Sequence, residues 1–146
     1  MTIRPGCLSF AVAVFLAAEA VAAPVQAQNA GSGNTGRSTL DGVYTAQQAT
    51  RGETIFRNIC GNCHATSEFS GSGFQTKWSA TPVFTFFEQI RSTMPLDNPG
   101  GLSAAEYSAV IAYILKLNAY PAGPRELPAA DSALKQIRFE KQPPQQ

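Results

Sequence analysis

The stretch Cys60-Gly61-Asn62-Cys63-His64 decides how the rest of the chain is read. Two thiols separated by two residues, with a histidine directly after the second, form the C-x-x-C-H pattern of covalent haem attachment. The chemistry needs these residues at this spacing. Each thiol adds across one vinyl group of the porphyrin, and the two-residue spacer matches the separation of those groups. The adjacent imidazole of His64 then sits beneath the iron. Two rival readings have less behind them. A thioredoxin-like dithiol follows a strand and opens a longer helix. Here a helical pattern precedes the motif, and a Gly/Ser-rich stretch, read as a loop, follows it. A structural zinc site takes four ligands. Beyond Cys60, Cys63 and His64 the chain has only Cys7, inside the N-terminal stretch read below as a signal peptide, and no second histidine.

The other axial ligand follows by elimination. With one histidine in the chain, bis-histidine ligation within it is excluded. Met94 is the only methionine besides Met1. A lone methionine is generally core filler. Met94, however, lies in Ser92-Thr93-Met94-Pro95, just past a helical pattern, where Pro95 stiffens the backbone that carries the sulfur. His/Met ligation is one of the ways proteins raise a haem potential. One haem c would thus use Cys60, Cys63, His64 and Met94 together.

Upstream, Arg4 begins a short positive start, and an apolar run extends from Leu8 to Ala18. Val25-Gln26-Ala27 offers a small-x-small cleavage site before Gln28. Val21-Ala22-Ala23 is a rival site, hindered by Pro24. A retained membrane anchor is the competing reading, but the run is short of the ~20 apolar residues a bilayer needs, and Glu19 interrupts it. The expectation is a signal peptide over 1–27 and a periplasmic protein, with membrane association only if that segment is retained. The formal net charge is +1, and loss of Arg4 and Glu19 leaves it unchanged. No Lys/Arg block is present, which argues against nucleic acid as a partner.

Residues 28–42 are dominated by Gly, Ser and Asn and read as flexible. Order is expected from Val43-Tyr44, the domain over 43–139, and a disordered tail over 140–146. Three main helices are predicted. The first starts at Thr45, with Gln48 completing a capping-box pattern, and runs to about Asn58. Gly52 inside it lowers helix propensity by about 1 kcal/mol relative to Ala, which points to a close crossing by another helix. The second has Thr81 as N-cap and Pro82 at the first helical position, with Val83, Phe86, Phe87 and Ile90 on one face. It ends before Pro95. The third opens on Ser103 with Glu106 in a capping box and carries Tyr107, Val110, Ile111 and Ile114 as its stripe. Asn118 caps its end, with Pro121 beyond. Asp97-Asn98-Pro99-Gly100-Gly101 is turn chemistry. Residues 131–139 suggest one more short helix, and no strand pattern stands out. The fold class is all-α, with a thin core of the size that often needs a cofactor to pack around.

These residues resemble class I cytochromes c. More narrowly, they are similar to monohaem cytochromes that serve, or are fused to, quinoprotein (PQQ-dependent) dehydrogenases. The resemblance rests on Val43-Tyr44-Thr45 with Gly52, Cys60 to His64, Thr93-Met94-Pro95, Asp97 to Gly100, Ala112-Tyr113-Ile114-Leu115 with Asn118, Pro121-Ala122-Gly123, and Glu126-Leu127. It implies a small cytochrome c fold, with the first and third helices crossing so that Gly52 and Phe56 pack on Val110 and Tyr113. It also implies that the indole N–H of Trp78 donates to a haem propionate, although the residue alone reads equally well as an aromatic wall of the pocket. Arg91 and Lys77 read as solubilising charges. In the family, a proline in the loop after the haem histidine supplies the carbonyl that accepts the histidine Nδ1–H. Residues 65–80 contain no proline, so another carbonyl must take that proton, and the sequence does not name it.

The function expected is one-electron transfer, not enzymatic catalysis. A six-coordinate iron has no open position, and no acid/base pair or free nucleophile remains. The partners expected are redox proteins: a dehydrogenase as donor, and an oxidase or cytochrome as acceptor. The alternatives are a haem subunit of a membrane-bound dehydrogenase complex, or a haem enzyme or ligand-binding protein in which Met94 is displaceable.

Overall fold

The structure is a computed structural model that describes residue 2 and residues 36–143. Most of the expected signal peptide, residues 28–35 and residues 144–146 lie outside the described residues. The element order is β1 (Arg37–Ser38), α1 (Ala46–Asn58), α2 (Gly71–Trp78), α3 (Val83–Thr93), α4 (Ala104–Leu117), α5 (Asp131–Leu134) and β2 (Ile137–Arg138), with 3-10 turns at Thr39–Asp41, Cys60–Asn62 and Thr66–Phe69.

Helix α4 organises the core. Every residue from Tyr107 to Leu115 is buried, the pattern of a helix covered on nearly all sides. Its start is as expected: the Ser103 hydroxyl accepts from the Glu106 N–H, and the Glu106 carboxylate accepts from the Ser103 N–H at 2.8 Å. Helix α1 crosses α4 at Gly52. A Cβ there would lie 1.7 Å from the carbonyl oxygen of Ala109, so only glycine permits this approach. Four residues on, Phe56 meets Tyr113 with ring centroids 5.4 Å apart. The expected crossing is therefore present, with Ala109 as the backbone that Gly52 admits.

The cap of α1 differs from the expected box. The Thr45 hydroxyl accepts from the Gln48 N–H at 3.1 Å, but the Gln48 side chain is used elsewhere. Its Nε2 donates to the Leu127 carbonyl at 2.9 Å and its Oε1 accepts from the Leu127 N–H at 2.7 Å. A buried amide that satisfies both groups of a distant residue is worth more than a local cap, because an unpaired buried polar group costs about 1–3 kcal/mol. The cap of α3 also differs. Pro82 is the N-cap, and the Thr81 hydroxyl donates instead to the Trp78 carbonyl at 2.6 Å. Helix α3 ends on Thr93 with Met94 as C-cap, as Pro95 requires.

Two further differences concern the ends of the domain. Packing begins at Arg37, not Val43: β1 pairs in parallel with β2, Arg37 opposite Ile137 and Ser38 opposite Arg138. The buried Thr39 hydroxyl accepts from the Glu140 N–H at 3.1 Å. The packed chain also continues past 139, since the Gln142 N–H donates to Gln75 Oε1 at 3.1 Å. The helix expected over 131–139 is only Asp131–Leu134, and the chain then extends as β2 with Ile137 and Phe139 buried.

Candidate haem site

The Cys60–His64 stretch follows α1 almost without a break. Cys60–Asn62 forms a 3-10 turn, and the N–H groups of Cys63 and His64 both donate to the Cys60 carbonyl, at 3.1 and 3.0 Å. The Asn62 amide adds a bond to the Asn58 carbonyl at 3.2 Å. One tight turn therefore carries both cysteines and the histidine. Both cysteines are free thiols; Cys60 is half-buried and Cys63 exposed. Burial pushes the Cys60 thiol pKa up, partly opposed by a backbone hydrogen bond.

His64 is fixed from two sides. Its Nδ1 lies 3.1 Å from Glu68 Oε2, and its ring meets Phe69 edge-on at 5.4 Å. Phe69 in turn packs edge-on against Phe56 at 5.6 Å, which ties the histidine to the α1–α4 crossing. With Nδ1 engaged, Nε2 is the nitrogen left for a metal. The Glu68 carboxylate also accepts the Ala65 N–H through Oε1 at 2.8 Å. Hydrogen bonding from His64, then from the Ala65 N–H, holds its pKa below the usual carboxylate value. The sequence had required a carbonyl on His64 Nδ1; the structure supplies a carboxylate instead. The region after the motif is also not simply a loop. It holds the 3-10 turn Thr66–Phe69 and then α2, whose Phe74 and Trp78 are one turn apart and both buried.

Met94 sits on a separate segment, between α3 and α4. It is half-buried and extended, and its N–H donates to the Ile90 carbonyl at 2.9 Å. The Tyr107 hydroxyl donates to the Met94 carbonyl at 2.6 Å. The expected turn follows, with the Asn98 N–H on the Pro95 carbonyl and the Gly101 N–H on the Asn98 carbonyl, both at 2.9 Å. At the other end of α4, the Asn118 amide donates to the Phe69 carbonyl at 2.7 Å and its Oδ1 accepts the Gly71 N–H at 3.0 Å. Helix α4 thus anchors the His64 segment through its C-terminal cap and the Met94 segment through its first turn.

Trp78 lies in the aromatic cluster of Phe74, Phe86 and Phe139, its ring 4.6 Å from that of Phe86. Among the described residues its indole N–H has no acceptor. Lys77 places its ammonium 5.3 Å from the same ring. Arg91 is committed to the protein: it pairs with Asp131 at 3.1 Å and with Glu88, and its guanidinium covers Phe87. Sequence reasoning missed Glu68 and Tyr107. Glu68 carried one usable signal, its position four residues after His64 within a turn-forming stretch. Tyr107 carried none, because it reads as an ordinary core position of α4.

The donor set fits a covalently held haem. It comprises two free thiols on one turn, an imidazole whose second nitrogen is already engaged, and a thioether on a braced segment. Phe69, Ile90 and Leu102 pack on the core yet remain partly uncovered, and Leu96, beside Met94, is 82% exposed. Residues 47–114, from the first turn of α1 to near the end of α4, match the family model described as Cytochrome C oxidase, cbb3-type, subunit III. No curated protein and no solved structure matches the chain.

Proposed function

We propose that the chain carries a cytochrome c domain of the small all-α fold with covalently bound haem c, and that it is an exported one-electron carrier; the family match over residues 47–114 and the helical fold support this reading. The observation that carries this reading is the Cys60–His64 turn itself, where two free thiols and a held imidazole lie on one hydrogen-bonded element. Cys60 and Cys63 would make the two thioether bonds to the haem, and His64 Nε2 and the Met94 sulfur would hold its iron. When bound, the haem supplies reversible one-electron exchange at its iron.

The protein's part is to hold those ligands still. The Glu68 carboxylate and Phe69 restrain the imidazole, and the Tyr107 hydroxyl restrains the backbone of Met94. Ligands that keep their positions in both oxidation states keep reorganisation small, which is what a carrier needs from its protein. Trp78 and its aromatic neighbours wall the domain, and the indole N–H is available to a propionate. Redox proteins are the partners. A dehydrogenase, of the quinoprotein class by resemblance, is the donor, and an oxidase or another cytochrome is the acceptor. The name of the matched family, an oxidase subunit, supports the acceptor half of that reading. Docking is expected to be small and transient. Among the described residues no helix is long and apolar enough to cross a membrane.

The test is expression in a host that matures c-type haem, followed by visible spectroscopy of the protein and of Met94→Ala, each with and without CO. The carrier reading expects a wild-type spectrum indifferent to CO and a Met94→Ala variant that binds it. Rapid CO binding by the wild type would instead establish a ligand-binding or catalytic haem with a displaceable Met94. Recovery of the protein only in a membrane complex with a dehydrogenase would establish the subunit reading.

A further inference from the structure

The partner of His64 Nδ1 is a charged side chain, and this has a consequence for the iron. We propose that Glu68 is the positioning residue that sets the basicity of His64, and that it lowers the reduction potential below the value a carbonyl partner would give. The inference rests on His64 being the iron ligand, as proposed above.

Three observations support it. First, the geometry is specific: Oε2 lies 3.1 Å from Nδ1, while Oε1 of the same carboxylate accepts the Ala65 N–H at 2.8 Å. The second bond fixes the rotation of the carboxylate, so the first is held by the backbone of the residue next to His64. Second, the alternative is missing from the sequence. Residues 65–80 contain no proline, and among the described residues no backbone carbonyl accepts from Nδ1. Third, the ring also packs edge-on with Phe69, so turning the imidazole to exchange partners would lose packing that reaches Phe56 and Tyr113.

The electronic effect has a definite sign. A carboxylate is a stronger acceptor than an amide carbonyl, since charge-assisted hydrogen bonds are roughly twice as strong as neutral ones. Drawing the Nδ1 proton outward makes the ring a better donor through Nε2. A more basic imidazole favours the ferric over the ferrous iron, because the oxidised metal carries the greater charge. Hydrogen bonding beyond the ligands is one of the recognised levers on a haem potential. A His/Met pair raises the potential, and Glu68 opposes part of that rise.

The test compares wild type, Glu68→Gln and Glu68→Ala, each purified as holoprotein. The midpoint potential is read by optical redox titration, and stability is read separately by denaturant unfolding. Gln keeps an acceptor oxygen but loses the charge, and Ala loses both. The proposal expects both variants to shift the reduction equilibrium upward, Glu68→Gln by roughly tenfold, or ~59 mV for one electron, and Glu68→Ala by at least as much. Potentials equal to wild type in both variants, with only stability reduced, would leave Glu68 as a turn cap and overturn the proposal. If Glu68→Ala fails to retain haem, Glu68→Gln alone decides. A wild-type protein whose iron is not bound by His64 fails in its own ferric and ferrous spectra, before any variant is compared, which separates this result from failure of the carrier reading.

Discussion

The Tyr107 hydroxyl donates to the Met94 carbonyl across 2.6 Å, so the first turn of α4 holds the segment that carries Met94, the second axial ligand in the proposed reading. Tyr107 is buried while Met94 is half-exposed. The bond therefore links the rigid core to a half-exposed part of the site. Tyr107→Phe keeps the ring and its packing on Phe87, 6.2 Å away between centroids, and deletes only the donor. A hydrogen bond of this kind contributes about 1 kcal/mol net. Titration of the ferric protein with imidazole should show apparent affinity increased about fivefold, the equivalent of that energy. Unchanged imidazole affinity would mean that Tyr107 has no hold on Met94.

Gly52→Ala tests the crossing. Its Cβ would meet the Ala109 carbonyl at 1.7 Å, and that neighbour is backbone and cannot swing aside. Alanine gains about 1 kcal/mol of helix propensity, but overpacking of a fixed contact costs about 1–3 kcal/mol. A contact of 1.7 Å with backbone puts the cost at the upper end of that range, so the net loss should be about 2 kcal/mol in denaturant unfolding of the holoprotein. A variant as stable as wild type would mean that α1 and α4 can separate freely.

Helix α4 closes with a left-handed residue that is not glycine. Ala119 has φ 58°. Its N–H donates to the Lys116 carbonyl at 3.0 Å, and the Tyr120 N–H reaches back to Leu115 at 3.1 Å, the bond pattern of a Schellman motif. An L-residue there costs roughly 1–2 kcal/mol relative to its preferred regions. Ala119→Gly should stabilise the fold by about 1 kcal/mol after glycine's extra entropy is deducted. Thermal unfolding should show a higher midpoint; a lower one would contradict this account of the cap.

The Glu106 carboxylate has its pKa held below the usual value by the Ser103 hydroxyl first and the Ser103 N–H second. A folded pKa below the unfolded one contributes stability that is present above the unfolded value and lost as pH falls through the folded one. Glu106→Gln should therefore flatten the decline of stability on acidification through the carboxylate range. An acid limb of the same slope in both proteins would assign that decline to other carboxylates.

Much of the fold was legible because its signals are local. Thr45, Ser103 and Asn118 mark helix ends by their own chemistry, and Gly52 announces a crossing by lacking a side chain. The strands β1 and β2 were not legible. Two residues each are too few to show a period of two, and their pairing joins residues a hundred positions apart. Helix α2 was hidden behind Ser70-Gly71-Ser72-Gly73, whose propensities oppose it, while the burial of Phe74 and Trp78 overrides them. In the site, Cys60, Cys63, His64 and Met94 stand out as candidates in the sequence because few residue types can serve. Gln48 was misread because its amide has two uses, and the sequence does not show that Leu127 arrives to claim it. Glu68 was missed because an exposed glutamate has many roles, and only the position of its carboxylate on Nδ1 selects one.

The most direct measurement is an optical redox titration of the purified holoprotein, preceded by acid–acetone extraction of a sample to establish how the haem is held. The account predicts that the colour stays with the protein on extraction, and that the spectrum follows a single reversible one-electron wave unaltered by CO. Haem that leaves with the solvent, or a ferrous spectrum that CO converts at once, would contradict it.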